Sequence, residues 1–516
     1  MNYPVWEVSF GAGLLIAIVA ITHVFVSHFA VGGGLFLVLT ELKAYREKDQ
    51  ALLAWLKSHT KFFVLVTIVF GAVSGVGIWF TIGLIHPSGT STLIHSFVWG
   101  WAIEWVFFFL EISSALMYLY GWDKLNQKTH LWYGWIYFGA AFLSMVIING
   151  IVTFMLTSGH WIRTHNFWQG FFNPTYFPSL GFRFFLSLAL AGVYALLTGT
   201  RQANLDLRGK LVKWSALWIL PSFVVLSLFG WWYIQQVPAT AWLMTRGRMP
   251  TATTYATSLW IFGGITFILS LLTLLRPKKI PFVYAVVVFV TAFATMGSFE
   301  FIREAIRKPY IIYRYMYVNS IYRLPVKGDS GMNVHNINKQ GVLQVARWVD
   351  RRNLQDGNQA AMGREVFRVE CRSCHTIDGY RGLQPILRQK GWNYETILAM
   401  LGSLQYMHNG AMPPFAGVEA EKEALARYLE TLVPAGKRAA VSARPSDGAA
   451  VFETYCQPCH LVKPDDPLFT KFRGISQPQM AYLITRLDSL NNKMPDLRLQ
   501  PAQTTVLAKW IASQYK

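Results

Sequence analysis

The chain has 516 residues, 53% of them apolar, 15% aromatic and only 14% charged, against about 25% charged in an ordinary soluble domain. Its net charge of +20 would on its own suit a nucleic-acid partner, but charge is informative only once it is located. The first 310 residues carry 31 charges and the last 206 carry 43, so the chain reads as a membrane part followed by a soluble part; an all-soluble enzyme, a disordered basic tail and a nucleic-acid binder are excluded.

Eight apolar runs are long enough to cross ~30 Å of hydrocarbon as helices; they lie near 9–41, 61–85, 93–120, 131–157, 180–200, 213–235, 256–276 and 280–302. Each is longer than a strand and none alternates cleanly, so helices are expected. The first run does not read as a cleavable signal, because no basic residue precedes it and it is too long. Fourteen lysines and arginines fall in the connections after helices 1, 3, 5 and 7, from Lys43 to Lys279, but only Arg163, Arg183, Arg246 and Arg248 in those after helices 2, 4 and 6. The positive-inside rule then puts the first set in the cytoplasm and everything after helix 8 outside.

All four cysteines of the soluble part fall in two C-x-x-C-H motifs, Cys371-Arg372-Ser373-Cys374-His375 and Cys456-Gln457-Pro458-Cys459-His460. Two thiols three apart can add to the vinyl groups of one haem, and the adjacent histidine becomes the proximal iron ligand. A redox pair would not need the histidine, and a zinc site would need further cysteines or histidines at a set spacing. A Met-Pro follows each histidine, Met412 after 37 residues and Met494 after 34. Each methionine suits the far side of the iron, where a thioether raises the reduction potential; the alternative is a packing methionine. With a helix-like segment before each motif and another at 421–432 and 503–513, the modules at 359–435 and 445–516 resemble class I cytochrome c domains, which implies two covalently bound haems c. Covalent haem attachment occurs outside the cytoplasm, as the loop charges require. The basic, Tyr-rich stretch 311–358 between membrane and modules reads either as a docking segment or as a plain linker.

Ionisable groups inside apolar helices are costly and therefore functional candidates. Helix 1 carries His23 and His28, helix 3 carries Glu104 and Glu111, and the outer end of helix 8 carries Glu300, Arg303, Glu304, Arg307 and Lys308. A lone membrane histidine is ordinarily a hydrogen-bonded packing residue, and a lone glutamate ordinarily faces a cavity or an arginine. Four stretches nevertheless resemble subunit I of the cytochrome bd-type oxidases. They are Thr22-His23-Val24-Phe25 with Gly32; Ala102-Ile103-Glu104 and Phe109-Leu110-Glu111 followed by Gly121-Trp122-Asp123-Lys124-Leu125; Leu143-Ser144 with Asn149-Gly150; and Glu304-Ala305-Ile306-Arg307-Lys308-Pro309-Tyr310. The last is similar to the family's E-x-G-R-Q-P-W, with Lys308 and Tyr310 in place of Gln and Trp.

The resemblance implies an all-α fold, an eight-helix transmembrane bundle followed by two small α-helical cytochrome c domains. It implies that His23 ligates a haem of the oxygen-reducing pair, that Glu304 ligates or neighbours the second, that Glu104 and Glu111 lie beside the pair on a proton path, and that Arg307 holds a propionate. One or two non-covalent membrane haems, of b or d type, follow. The family's two glutamates are eight apart, whereas Glu104 and Glu111 are seven apart, which allows one of them to face differently. Helix 5 has no histidine, and the outer loop after helix 6 is reduced to about 236–255, so the low-spin b haem and the quinol site are expected to be missing. The implied protein is a respiratory oxidoreductase of the bacterial inner membrane with its cytochrome c domains on the periplasmic face. It would take electrons from a periplasmic donor, pass them to membrane haems and reduce O2 to water. A second bd-like membrane subunit or a homodimer, and membrane lipid, are the expected partners. The competing readings are an electron conduit between quinol or a partner complex and periplasmic cytochromes, and a structural anchor for the dihaem module.

Overall fold

The computed structural model describes residues 5–247, 249–351, 354, 357–405, 410–437, 447–456, 460, 472, 474–487, 494, 497 and 499–514. They form two compact units, Leu15–Tyr313 and Arg314–Lys516 joined by the residues before Leu15.

In the first unit eight helices are long and apolar enough to cross a membrane: Ala12–Glu47, Gln50–Ile85, Val98–Gly121, Gln127–Phe154, Tyr176–Gly199, Leu205–Gln236, Thr251–Leu272 and Phe282–Ala305. They are numbered below as the first to eighth spans. The second span begins eleven residues before the apolar run that announces it. Its early turns are amphipathic, burying Leu52, Trp55, Leu56 and His59 while Lys57 and Lys61 stay outside, and an apolar-run reading passes over such a segment. The same span contains a π-helical stretch, Leu65–Gly71.

Apolar burial cannot drive helices together in lipid, so close approach of backbones matters more. Gly32 provides it between the first and fifth spans, where a Cβ would stand 1.9 Å from the Ser187 carbonyl oxygen. The third span, by contrast, leaves Trp99, Trp105, Val106 and Phe109 exposed, the surface expected of a helix that faces lipid or another membrane subunit. The connection between the fourth and fifth spans folds into two short helices, Trp161–Thr164 and Phe167–Phe171. The buried Asn173 and Thr175 hydrogen-bond back to Thr157 just after. This starts the fifth span at Tyr176 and carries Arg183 into it, buried. Arg183 was expected among the outer loop charges; it belongs to the helix interior.

In the second unit, helices Gln359–Glu370, Leu383–Lys390, Tyr394–Leu401 and Glu419–Thr431 enclose a core that includes Val366, Phe367, Ile397 and Leu425. Ile321, Ile337, Val342 and Leu343 lie in that same core. The buried Glu421 accepts from the Val342 and Leu343 amides at 2.8 and 2.9 Å. Residues 321–343 of the stretch expected as a docking segment or linker are thus folded into the module that follows. A second, smaller core forms where Gly448–Tyr455 and Gln477–Ile484 meet Pro501–Ser513.

Candidate functional site

Helix Gln359–Glu370 ends at Cys371, whose amide still bonds to Phe367 O at 3.0 Å. The chain then turns tightly, so that the Cys374 and His375 amides both return to Cys371 O, at 3.1 and 2.9 Å. Both thiols and the imidazole therefore sit within one turn. His375 Nδ1 lies 3.2 Å from Arg381 O. A carbonyl can only accept, so Nδ1 carries the proton and Nε2 keeps its lone pair for a metal. The residues fit a covalently held haem with a histidine ligand. Met412 lies between helices Tyr394–Leu401 and Glu419–Thr431. Beside the motif, Glu370 is buried and takes a hydrogen bond from Asn319 Nδ2 at 2.9 Å. Burial, with Glu421 nearby, pushes its carboxyl well above the usual carboxylate range. Residues 5–10 run over this module: Glu7 pairs with Arg368 and Arg372, and Phe10 O accepts from the Tyr380 amide at 3.1 Å. Burial would raise the Glu7 carboxyl, but Arg372 and Arg368 outweigh it and hold it below its ordinary value.

The second motif repeats the backbone pattern. The Cys456 amide bonds to Phe452 O and the His460 amide to Cys456 O, both at 2.8 Å. Gly448 and Phe452 stand eight and four residues before Cys456, as Gly363 and Phe367 do before Cys371. The ring of Phe367 meets Tyr428 of the module's last helix, and Phe452 meets Trp510 of the corresponding helix. Cys459 lies outside the described residues; Met494 lies between Gln477–Ile484 and Pro501–Ser513.

In the membrane unit, His23 is half-buried on the first span. Its Nδ1 lies 3.1 Å from both Gly71 O and Ser74 Oγ of the second span. His28, five residues on, spends both ring nitrogens elsewhere: Nδ1 on Val24 O at 2.7 Å, and Nε2 on the Arg183 guanidinium at 3.3 Å. The two histidines of this helix are thereby distinguished, His28 as a packing residue and His23 as the one with a ring nitrogen suited to iron.

Glu104 and Glu111 both turn to the fourth span. Ser144 donates to Glu104 Oε1 at 2.9 Å and Tyr137 to Glu111 Oε1 at 3.2 Å. Seven residues is close to two helical turns, so the seven-residue spacing aligns the pair instead of separating it. Their partners are seven apart on the neighbouring helix. Tyr137 also reaches Ala30 O of the first span at 3.1 Å. It was missed in sequence because a tyrosine in an aromatic-rich helix carries no signal of its own.

At the far end of the eighth span, Glu304 pairs with Arg307, one turn on. Arg307 is 4% exposed; among the described residues its second terminal nitrogen meets only Met155 Sδ and its Nε–H has no partner. An under-bonded buried guanidinium fits a carboxylate such as a propionate. Glu300 is separate from this pair: it accepts from Arg183 at 3.1 Å and from Arg303 at 2.8 Å. Sequence reading named Glu300 and Arg303 as candidates but did not connect them to Arg183.

Residues 12–240 match the family model described as cytochrome bd terminal oxidase subunit I, and residues 358–429 match that of cytochrome c oxidase, cbb3-type, subunit III. Among solved structures, the bd oxidase from Geobacillus thermodenitrificans is similar in fold at 14% identity and a TM-score of 0.51, with 58% of this chain and 87% of that chain covered. No curated protein matches the sequence. The chain is a multi-pass membrane electron-transfer protein in which a haem-binding domain like subunit I of the cytochrome bd oxidases is joined to a cytochrome c domain like that of cbb3-type subunit III.

Proposed function

We propose that this chain is a terminal oxidoreductase subunit that takes electrons from a periplasmic donor through two covalent haems c, delivers them to haem in the membrane and reduces O2 to water. Cys371, Cys374 and His375 would hold the first haem c, and Cys456, Cys459 and His460 the second, with Met412 and Met494 as opposite ligands. The second module rests on its repeat of the first module's glycine, phenylalanine and backbone hydrogen bonds. In the membrane, His23 would ligate one haem, Arg307 would hold a propionate and Glu304 would stand at a second haem. Bound haem supplies one-electron chemistry and an iron at which O2 can bind.

The chain's own residues relay protons drawn from water. Reduction of one O2 to two waters consumes four electrons and four protons. Glu104 and Glu111, aligned on one helix face and bonded to Ser144 and Tyr137, can take up and release them inside the membrane. This alignment is the observation that carries the reading, since neither an electron conduit nor an anchor needs two carboxylates there. The bias of lysine and arginine toward one set of loops supports a periplasmic face for the cytochrome modules, and the exposed third span suits a second membrane subunit.

The test is the optical spectrum of the purified protein beside its His23→Ala variant. The reading expects c-type bands plus a membrane haem that binds carbon monoxide, with only the latter lost in the variant. Unchanged spectra would remove His23 from the assignment, and c-type bands alone in the parent would remove membrane haem altogether.

A further inference from the structure

Within the second span, the ladder runs for seven residues, Leu65–Gly71, as a π-helix before returning to α at Ala72. Such stretches are rare and concentrate at functional sites, because the change of register turns main-chain groups out of the ladder. The last residue of this one, Gly71, presents its carbonyl to His23 Nδ1 at 3.1 Å. One turn on, Ser74 Oγ stands at the same distance from the same nitrogen. The serine hydroxyl has main-chain acceptors for its one proton, Phe70 O at 2.8 Å and Gly71 O at 3.0 Å. Its oxygen therefore faces the ring as an acceptor. Two acceptors at Nδ1 require that this nitrogen carry the proton. Gly75 completes the seat: a Cβ there would stand 3.0 Å from His23 Cε1 and press on the ring.

Resting on the reading that His23 is an iron ligand, we infer that Ser74 and the π-helical turn ending at Gly71 are positioning elements for it. They fix the tautomer, aim Nε2 and set how strongly the imidazole donates. Acceptors at Nδ1–H give the ring imidazolate character and raise its basicity. A more basic ligand favours the ferric state, so this seat lowers the reduction potential of the haem that His23 holds. The hydroxyl does this without touching haem or substrate.

The experiment is a redox titration of the full-length protein, followed separately in the membrane-haem and c-haem bands, for the parent and for Ser74→Ala, Ser74→Thr and His23→Ala. Ser74→Ala should keep the membrane-haem band but move its potential upward. Ser74→Thr, which keeps the hydroxyl, should titrate like the parent, and the c haems should not move in any variant. No change in Ser74→Ala, a downward shift, or an equal shift of the c haems would overturn the inference while leaving His23 as ligand. A His23→Ala variant that retains the membrane-haem band would instead overturn the underlying reading, and this inference with it.

Discussion

Gly363 crosses Ala424 so closely that a Cβ on the glycine would stand 2.0 Å from the Ala424 carbonyl oxygen, and Gly448 meets Val506 in the same way at 2.1 Å. In each module this is where the helix before the cysteine motif passes the closing helix. The obstacle is backbone, which cannot step aside as a flexible side chain can. Replacing either glycine by alanine should force the helices apart at a cost of about 1–3 kcal/mol. Denaturant titration of the full-length protein, followed by the Soret signal of the c haems, should show an earlier transition for Gly363→Ala and for Gly448→Ala. An unmoved transition would mean that the crossing is looser than described.

The spans and the cysteine motifs were legible in sequence because each rests on a strong local signal, an apolar run too long for anything but a membrane helix and a C-x-x-C-H pentapeptide. The sequence was less informative wherever a residue's meaning depends on a distant partner. Arg183 reads as a loop charge until the fifth span is seen to start at Tyr176, where it meets His28 and Glu300. The connection 311–358, basic and Tyr-rich, reads equally as a docking segment or a plain linker, yet Ile321, Ile337 and Val342 fill a core supplied by helices further on. The π-helical turn beneath His23 has no signature in composition at all.

Glu300 accepts from two arginines inside the membrane bundle, Arg183 and Arg303. Glu300→Gln keeps the shape but takes the counter-charge from the buried Arg183 and one of two neighbouring carboxylates from the part-buried Arg303. Removing one partner of a buried ion pair costs about 3–5 kcal/mol. The variant in detergent should lose several degrees or more of thermal midpoint, with the c-haem spectrum of the folded protein intact. Equal midpoints would show that water or lipid reaches these groups.

Asp329 latches a loop of the first module. It accepts from the Val326 and Gly331 amides at 3.0 and 2.8 Å and from Asn333 Nδ2 at 2.8 Å. Burial would raise its carboxyl, but the Val326, Gly331 and Asn333 bonds outweigh it and hold it below the ordinary aspartate value. A lowered folded value means stability that is present above the unfolded value and lost as pH falls through the folded one. Asp329→Asn should therefore cost about 1 kcal/mol at neutral pH, with the difference from the parent shrinking as pH falls below the ordinary aspartate range. A difference that does not vary with pH would contradict the charge argument.

Met412→Ala and Met494→Ala separate ligation from packing. Loss of a thioether ligand should lower the potential of one c haem only and open its ferrous iron to carbon monoxide. A packing methionine would lower stability and leave potential and carbon monoxide binding as they were.

In the proposed reaction, protons taken up by Glu104 and Glu111 meet electrons from the c haems at O2. It is tested most directly by oxygen uptake of the purified protein with a chemically reduced electron donor, for the parent and for Glu111→Gln. The parent should consume O2 as its c haems reoxidise. Glu111→Gln should keep its haem spectrum and c-haem reduction but lose roughly 10²-fold or more in uptake, the range expected when a positioned proton-transfer group is removed. A parent that holds its full haem complement yet consumes no oxygen, or a variant that consumes it as fast as the parent, would contradict the account.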